Sequence, residues 1–377
     1  MMRILHVYKD YPPVRGGIEH HIRSLATGQA ARGHDVEVVV AATGSRSTTS
    51  MECGVRVLRA ARLGTLRSTP LSPGLVMTAV RRPADIVHLH FPHPPGELAW
   101  ILRAFRPPAV VSYHADIIRQ KLLALALRPM RWVVLSRAAR ILVSSPMMMT
   151  SSSDVHRHAG RVSVVPMGIP EPLEVPADDR ELLNIESRFP SPRVLFVGRL
   201  RHYKGVRHLI DAMADVAAVL LIAGDGPLRA ELEARVAALG MGDRVRFLGD
   251  VEESTLWLLY QAADILVLPS DSRAESYGLV LVEAMAVGVP VISTELGTST
   301  SWVNRHGETG LVVPPSDPSA LAHSVRELLD DHELRSRLGR AARRRVRSEL
   351  LADRMVDRVL EIYREILAPE SSLGLER

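Results

Sequence analysis

The chain has 377 residues, 46% hydrophobic and 24% charged, the balance of a globular protein larger than one hydrophobic core usually grows. Its single cysteine, Cys53, excludes an intrachain disulfide framework and fits a reducing compartment. A scattered net charge of +5 argues against nucleic acid as a partner, and no apolar run approaches the ~20 residues that span a bilayer. The opening MMRILHVYKDYPP lacks the charged, apolar and small-residue regions of a signal peptide, so a cytoplasmic location is expected.

Short β-rich runs alternate with longer helical patterns, which predicts parallel sheets built from βαβ units. In the first half, strands are expected at 3–9, 35–42, 85–91, 109–115, 140–145 and 161–168, with a clear helix over 17–32 ending at Gly33. The strands are near-continuous apolar runs, so both faces of the sheet should be covered. The stretch GIPEPLEVPADD (168–179), with three prolines and four acids, reads as a linker. A second series follows at 193–200, 218–224, 244–250, 264–270, 290–295 and 310–315, then a helical segment over 317–367. In that segment RAARRRVR (340–347) reads as a solvated basic face. Two doubly wound domains bind ligands outside the carboxyl ends of their strands, so motifs are sought there.

After the first strand, Gly16 and Gly17 precede a helix, where backbone amides can approach an anion without Cβ obstruction. After the strand at 193–200, VGRLRHYKGV carries Arg199 and Lys204 towards a helix start at Gly205; two cations beside a helix N-terminus suit a diphosphate. Lys204 is one of only three lysines, in a chain whose other basic residues are arginine. The turn AGDGP (223–227) reads as architecture, with Pro227 at a first helical position. AESYGLVLVEAM (274–285) holds two acids, Glu275 and Glu283, with seven residues between them. It reads as a loop leading into a short buried helix whose first N–H groups belong to Gly278, Leu279 and Val280. Glu275 then lies before the helix and Glu283 more than one turn inside it, so the two need not share a role. Histidines cluster in the first half at His20, His21, His88, His90, His93 and His114. His88 and His90 share a strand face, but no carboxylate or cysteine accompanies them at ligand spacing, and no metal is expected. The chain also has no Asp-x-Asp to hold a Mg²⁺–nucleotide.

Taken in order, GGIEHH, GRLRHYKG, AGDGP and ESYGLVLVEAMAVGVPVI resemble the retaining glycosyltransferases of the group 1 or family 4 type, over essentially the whole chain. The resemblance implies an α/β GT-B fold: two doubly wound Rossmann-like domains facing across a cleft, the last helix crossing back to the first. Residues 1–170 and 349–377 would then form an acceptor-binding domain, and 171–348 a sugar-nucleotide-binding domain. It implies that Arg199 and Lys204 hold the diphosphate with the amides of Gly278, Leu279 and Val280. Glu275 would touch donor-sugar hydroxyls and Glu283 the ribose. Gly16 and Gly17 would close over the phosphates, and His114 would lie near the transferring sugar. The implied reaction is metal-independent, uses no bound cofactor and retains anomeric configuration; the leaving diphosphate takes the acceptor's proton.

HADIIRQK (114–121) resembles a stretch of bacterial mannosyl- and rhamnosyltransferases that build surface polysaccharide, with Ala115 in place of a serine. It favours GDP-mannose as donor; UDP-glucose, UDP-galactose and dTDP-sugars are the alternatives. The acceptor would be a glycan or a lipid-linked saccharide. The basic, apolar segment 121–143 would then rest on the inner membrane face or, failing that, form a core helix pair with basic edges. Competing readings on the same fold are a sugar-nucleotide epimerase or hydrolase, and a non-catalytic binding protein. Lys204→Ala and Glu275→Ala are each expected to abolish transfer with the fold intact.

Overall fold

A computed structural model describes residues 1–14, 16–66, 69–103, 106–115, 125–172 and 179–368. The chain divides into two compact units, one of residues 1–168 with 352–377, the other of residues 169–351.

The first unit is built on an eight-stranded sheet: β1 (Arg3–Val7), β2 (Asp35–Ala41), β3 (Thr48–Glu52), β4 (Val55–Ala60), β7 (Ile86–Phe91), β8 (Ala109–Tyr113), β9 (Arg140–Val143) and β10 (Val162–Val164). A separate hairpin pairs β5 (Gly64–Leu66) with β6 (Thr69–Leu71). The order β10-β9-β8-β7-β1-β2-β4-β3 is parallel except for β3, which runs antiparallel to β4. All six expected strands form; β3 and β4 were missed. β3 is a largely exposed, polar edge and β4 alternates, so neither gives the apolar run that marks a doubly covered strand. They are joined by Cys53 and Gly54, both at positive φ (49° and 81°), in the two-residue turn that suits strand twist.

The helix Gly17–Ala31 lies against the last helix, Ala352–Leu367. That last helix shows an apolar stripe at helical spacing, Met355, Val356, Val359, Leu360 and Tyr363, all buried in one cluster with Ile4, Ile22 and Leu25. The helical segment expected over 317–367 is therefore three helices. Pro318–Asp330 and His332–Glu349 are separated at Asp331, whose carboxylate accepts from the Leu334 N–H. The second break falls at Leu350 and Leu351, where Leu351 bridges to Ile169.

The second unit holds β11 (Arg193–Val197), β12 (Val219–Ala223), β13 (Val245–Gly249), β14 (Ile265–Leu268), β15 (Val291–Thr294) and β16 (Gly310–Val313), all parallel. Its order, β13-β12-β11-β14-β15-β16, is the 3-2-1-4-5-6 of a dinucleotide-binding sheet, with the switch point between β11 and β14. All six strands were expected.

The linker reading falls partly on residues 173–178, outside the described residues, as do 116–121 of HADIIRQK and 121–124 of the basic segment. What is described of that segment includes the helix Arg128–Arg137, which buries Val134 and Leu135 and leaves Trp132 exposed. The basic face at 340–347 is not wholly solvated. Arg345 is buried, stacked over Trp302 at 4.8 Å and bonded to its carbonyl at 2.9 Å.

Candidate functional site

At the switch point of the second unit, two loops meet beyond β11 and β14. The Asp271 N–H donates to the Tyr203 carbonyl at 3.0 Å and ties them together. A 3₁₀ turn, His202–Lys204, ends at Gly205, whose φ of 63° lies in the left-handed region. A side chain there would also put Cβ 2.0 Å from the Pro269 carbonyl oxygen, so only glycine permits this contact. The turn at Gly224–Gly226 supports the first loop from below. Leu200 N–H donates to the Asp225 carbonyl at 3.0 Å, and Gly198 N–H to Ala223 at 2.9 Å.

The result is that Lys204, 9% exposed, lies over Gly198 and places its Nζ 2.6 Å from Glu275 Oε2. Ser270 Oγ donates to the same oxygen at 3.0 Å. Burial alone would lower the Lys204 pKa; the Glu275 carboxylate outweighs it, and the ammonium sits above its ordinary value. Three residues after Glu275, the helix Leu279–Ala286 begins at Gly278, which caps it in the left-handed conformation (φ 79°). Leu279 and Val280 are partly exposed, and first-turn N–H groups have no partner inside a helix. The Lys204–Glu275 ion pair therefore ends three residues before the positive end of a helix dipole, whose first-turn amides favour an anionic ligand.

Glu283 does not join this pair. Half-buried inside the helix, it accepts from the Tyr260 hydroxyl at 2.5 Å. Burial raises its carboxyl above the ordinary value, against that hydrogen bond, which lowers it. Among the described residues Arg199 is exposed and makes no ion pair. The structure thus pairs Lys204 with Glu275 just before the Leu279–Ala286 helix, while Glu283 bonds to Tyr260 and feels the Lys204 charge without bonding to it. Ser270 and Tyr260 went unnoticed in the sequence, because a serine at a strand end and a tyrosine in an apolar helix carry no signal until their partners are placed.

In the first unit, Gly16 caps the helix Gly17–Ala31, which follows β1 after a loop. The Glu19 carboxylate folds back on it, its Oε2 2.1 Å from where a Gly16 Cβ would be. Glu19 is buried, and burial raises its pKa. Glutamate three residues after a cap was a legible signal for this fold-back. His114 follows β8, its N–H donating to the Phe91 carbonyl at 3.1 Å and its ring buried; burial takes its pKa down to about 3. It belongs to a larger histidine cluster that includes His6, which the sequence reading passed over.

Two doubly wound sheets, the first parallel but for its β3 edge and the second wholly parallel, with a switch-point site in the second, define the GT-B class of glycosyltransferases. Residues 15–171 match Glycosyltransferase Family 4 and residues 180–345 match Glycosyl transferases group 1. The chain belongs to this family and is a glycosyltransferase. It is similar to the D-rhamnosyltransferase WbpZ of Pseudomonas aeruginosa, 36% identical over 92% of this chain and 91% of that one. It is also similar to the O-antigen chain mannosyltransferase C of Escherichia coli, 32% identical over 98% and 100% of the two chains. Among solved structures, sucrose-phosphate synthase from Thermosynechococcus elongatus matches with a TM-score of 0.82 at 26% identity, covering 97% of this chain and 99% of that one.

Proposed function

We propose that this enzyme transfers a mannose-configured hexose from a nucleoside-diphosphate sugar, GDP-mannose first among candidates, to a glycan or lipid-linked acceptor in cell-surface polysaccharide synthesis. The reading is carried by the Lys204–Glu275 pair beside the N-terminus of the Leu279–Ala286 helix. The similarity to a mannosyltransferase and a rhamnosyltransferase supports the sugar. The two sugars share a ring configuration when both are in the D series and differ by the 6-hydroxyl, so the donor pocket must choose by one polar contact.

In this reading Lys204, Arg199 and the amides of Gly278, Leu279 and Val280 hold the diphosphate and stabilise its charge as it leaves. Glu275, its second oxygen not needed by Lys204, meets donor-sugar hydroxyls, and Glu283 the ribose. Gly16 and Gly17 approach the phosphates and His114 the transferring sugar. Transfer retains anomeric configuration and needs no metal, the leaving diphosphate accepting the acceptor's proton. Residues 1–170 with 349–377 serve the acceptor and 171–348 the donor. No helix among the described residues is long and apolar enough to cross a membrane. The enzyme works in the cytoplasm, with the exposed Trp132, Arg128 and Arg137 at the inner membrane face.

The test is a thermal-shift panel of nucleoside diphosphates and their sugars, because a ligand that binds only the native state raises apparent stability. GDP and GDP-mannose should shift the midpoint most. A larger shift with UDP or dTDP compounds refutes the guanine assignment, and no shift with any refutes the site.

A further inference from the structure

The switch point of the first unit, between β1 and β7, buries six histidines: His6, His21, His88, His90, His93 and His114, none more than 5% exposed. Burial holds all six pKa values below the ordinary histidine value, so the rings are neutral at pH 7. A neutral imidazole has one N–H and one lone pair, and the hydrogen bonds around Gln29 settle which nitrogen carries which. The Gln29 amide oxygen accepts from His6 Nε2 at 2.8 Å, leaving His6 Nδ1 as an acceptor. His90 Nε2 therefore donates to His6 Nδ1 at 3.0 Å, and its lone pair is on Nδ1. On the other side the Gln29 amide nitrogen donates to the Tyr363 hydroxyl, Tyr363 to His88 Nδ1 at 2.5 Å, and His88 Nε2 to Ser112 Oγ at 2.7 Å.

Two trios of these rings bring ligand nitrogens within 4.8 Å of one another. In His6, His88 and His90 every nitrogen is already committed to a hydrogen bond. The trio of His21, His90 and His114 differs. Neither ring nitrogen of His21 has a hydrogen-bond partner among the described residues, although the ring is 5% exposed. It meets the other two edge-on, with centroids 5.2 Å from His114 and 5.9 Å from His90. His90 Nδ1 and His114 Nε2 are 3.1 Å apart. Nitrogens bound at ~2.0–2.1 Å to one tetrahedral ion stand ~3.3 Å from each other. A cavity of about 10 Å³, room for about one water, borders His21 and His114, with Ser112 and Ser144 among otherwise apolar or aromatic walls that do not include His90.

We propose that His21, His90 and His114 form a binding site for a divalent ion of the zinc type, with three imidazole ligands and an open fourth position for water. A nitrogen-only set suits zinc, copper or nickel rather than the oxygen-seeking magnesium and calcium. His90 binds through Nδ1, its Nε2–H held by His6 and, behind it, Gln29, the outer support a ligating imidazole needs. His114 binds through Nε2, its proton moving to Nδ1, so the ring stays neutral and no proton is lost. Occupancy also takes His114 away from the sugar, so zinc inhibits transfer. This inhibition rests on the role proposed above for His114; the binding site does not.

The full chain, freed of metal, is titrated with Zn²⁺ against a chromophoric chelator, beside His21→Ala and His21→Leu. The leucine variant fills the ring's space and removes two unpartnered buried nitrogens, so it folds even if the alanine variant does not. Wild type should bind one equivalent, and the variants about a hundredfold more weakly, as loss of a ligand costs at least what loss of its support does. Co²⁺ should give the intense visible bands of a four-coordinate site in wild type only. Zn²⁺ should inhibit wild-type transfer reversibly and spare His21→Leu, whose metal-free rate is unchanged. No bound Zn²⁺ in wild type, or equal binding by His21→Leu, overturns the site. Tight binding lost in the variants but without inhibition supports the site and overturns the role given to His114.

Discussion

Replacing Lys204 with methionine removes the ammonium and keeps most of the side-chain volume. Lys204 and Glu275 are 9% and 8% exposed and 2.6 Å apart, so the change leaves a buried carboxylate with, among the described residues, the Ser270 hydroxyl as its remaining side-chain donor. Breaking a buried pair from one side costs about 3–5 kcal/mol, a large part of the roughly 5–15 kcal/mol that holds a domain folded. Lys204→Ala and Glu275→Ala, expected from sequence to inactivate with the fold intact, should each also destabilise, because each breaks this buried pair. Glu275→Gln in the Lys204→Met background removes the orphaned charge and should recover most of the lost stability. It should not recover transfer, because a fixed cation at the departing diphosphate is worth about 10²–10³ in rate. Urea denaturation and a transfer assay on the two single variants and the double variant separate these effects. If Lys204→Met costs under about 1 kcal/mol, the pair behaves as a surface contact. If the double variant regains activity together with stability, Lys204 only supports the fold.

The six neutral, buried histidines have folded pKa values below the unfolded value of 6.5, His6 at about 4 and His93 and His114 at about 3. Their stabilisation is present above pH 6.5 and is lost as pH falls, by about 2 kcal/mol at pH 5 for each of His6, His93 and His114. Glu97, raised by burial to about 7, works the other way by about 2 kcal/mol. Urea midpoints at pH 7 and pH 5 should therefore show a large acid loss, and equal midpoints would refute neutral rings. Gly205→Ala should destabilise by more than the ~1 kcal/mol of a relaxed left-handed site, since its Cβ meets the Pro269 carbonyl; calorimetry reads this directly. Tyr260→Phe removes the donor to Glu283 and should raise the donor KM by about tenfold with kcat little changed, for loss of one hydrogen bond to a charged group. Chelation with EDTA should leave transfer undiminished, and a clear loss would refute metal-independent chemistry.

Twelve strands of the two main sheets were legible because apolar runs between turn residues have few other ways to be buried. The order of the motifs was enough to name the family. The Gly278 cap was readable too, since a glycine before an apolar helical run has a local reason to be there. Sequence could not reveal that Lys204 bonds to Glu275, 71 positions away, or that Glu283 turns instead to Tyr260. It also could not show that His6, from the middle of an ordinary-looking strand, aligns the protons of His90. These are facts of register and strand order: β11 sits beside β14, and β1 beside β7, only once the sheets have wound outwards from their first strands. Local pattern determined which elements form and where the helix amides are offered. Tertiary structure decided which charges are paired, which are buried, and therefore which side chains are ready to act.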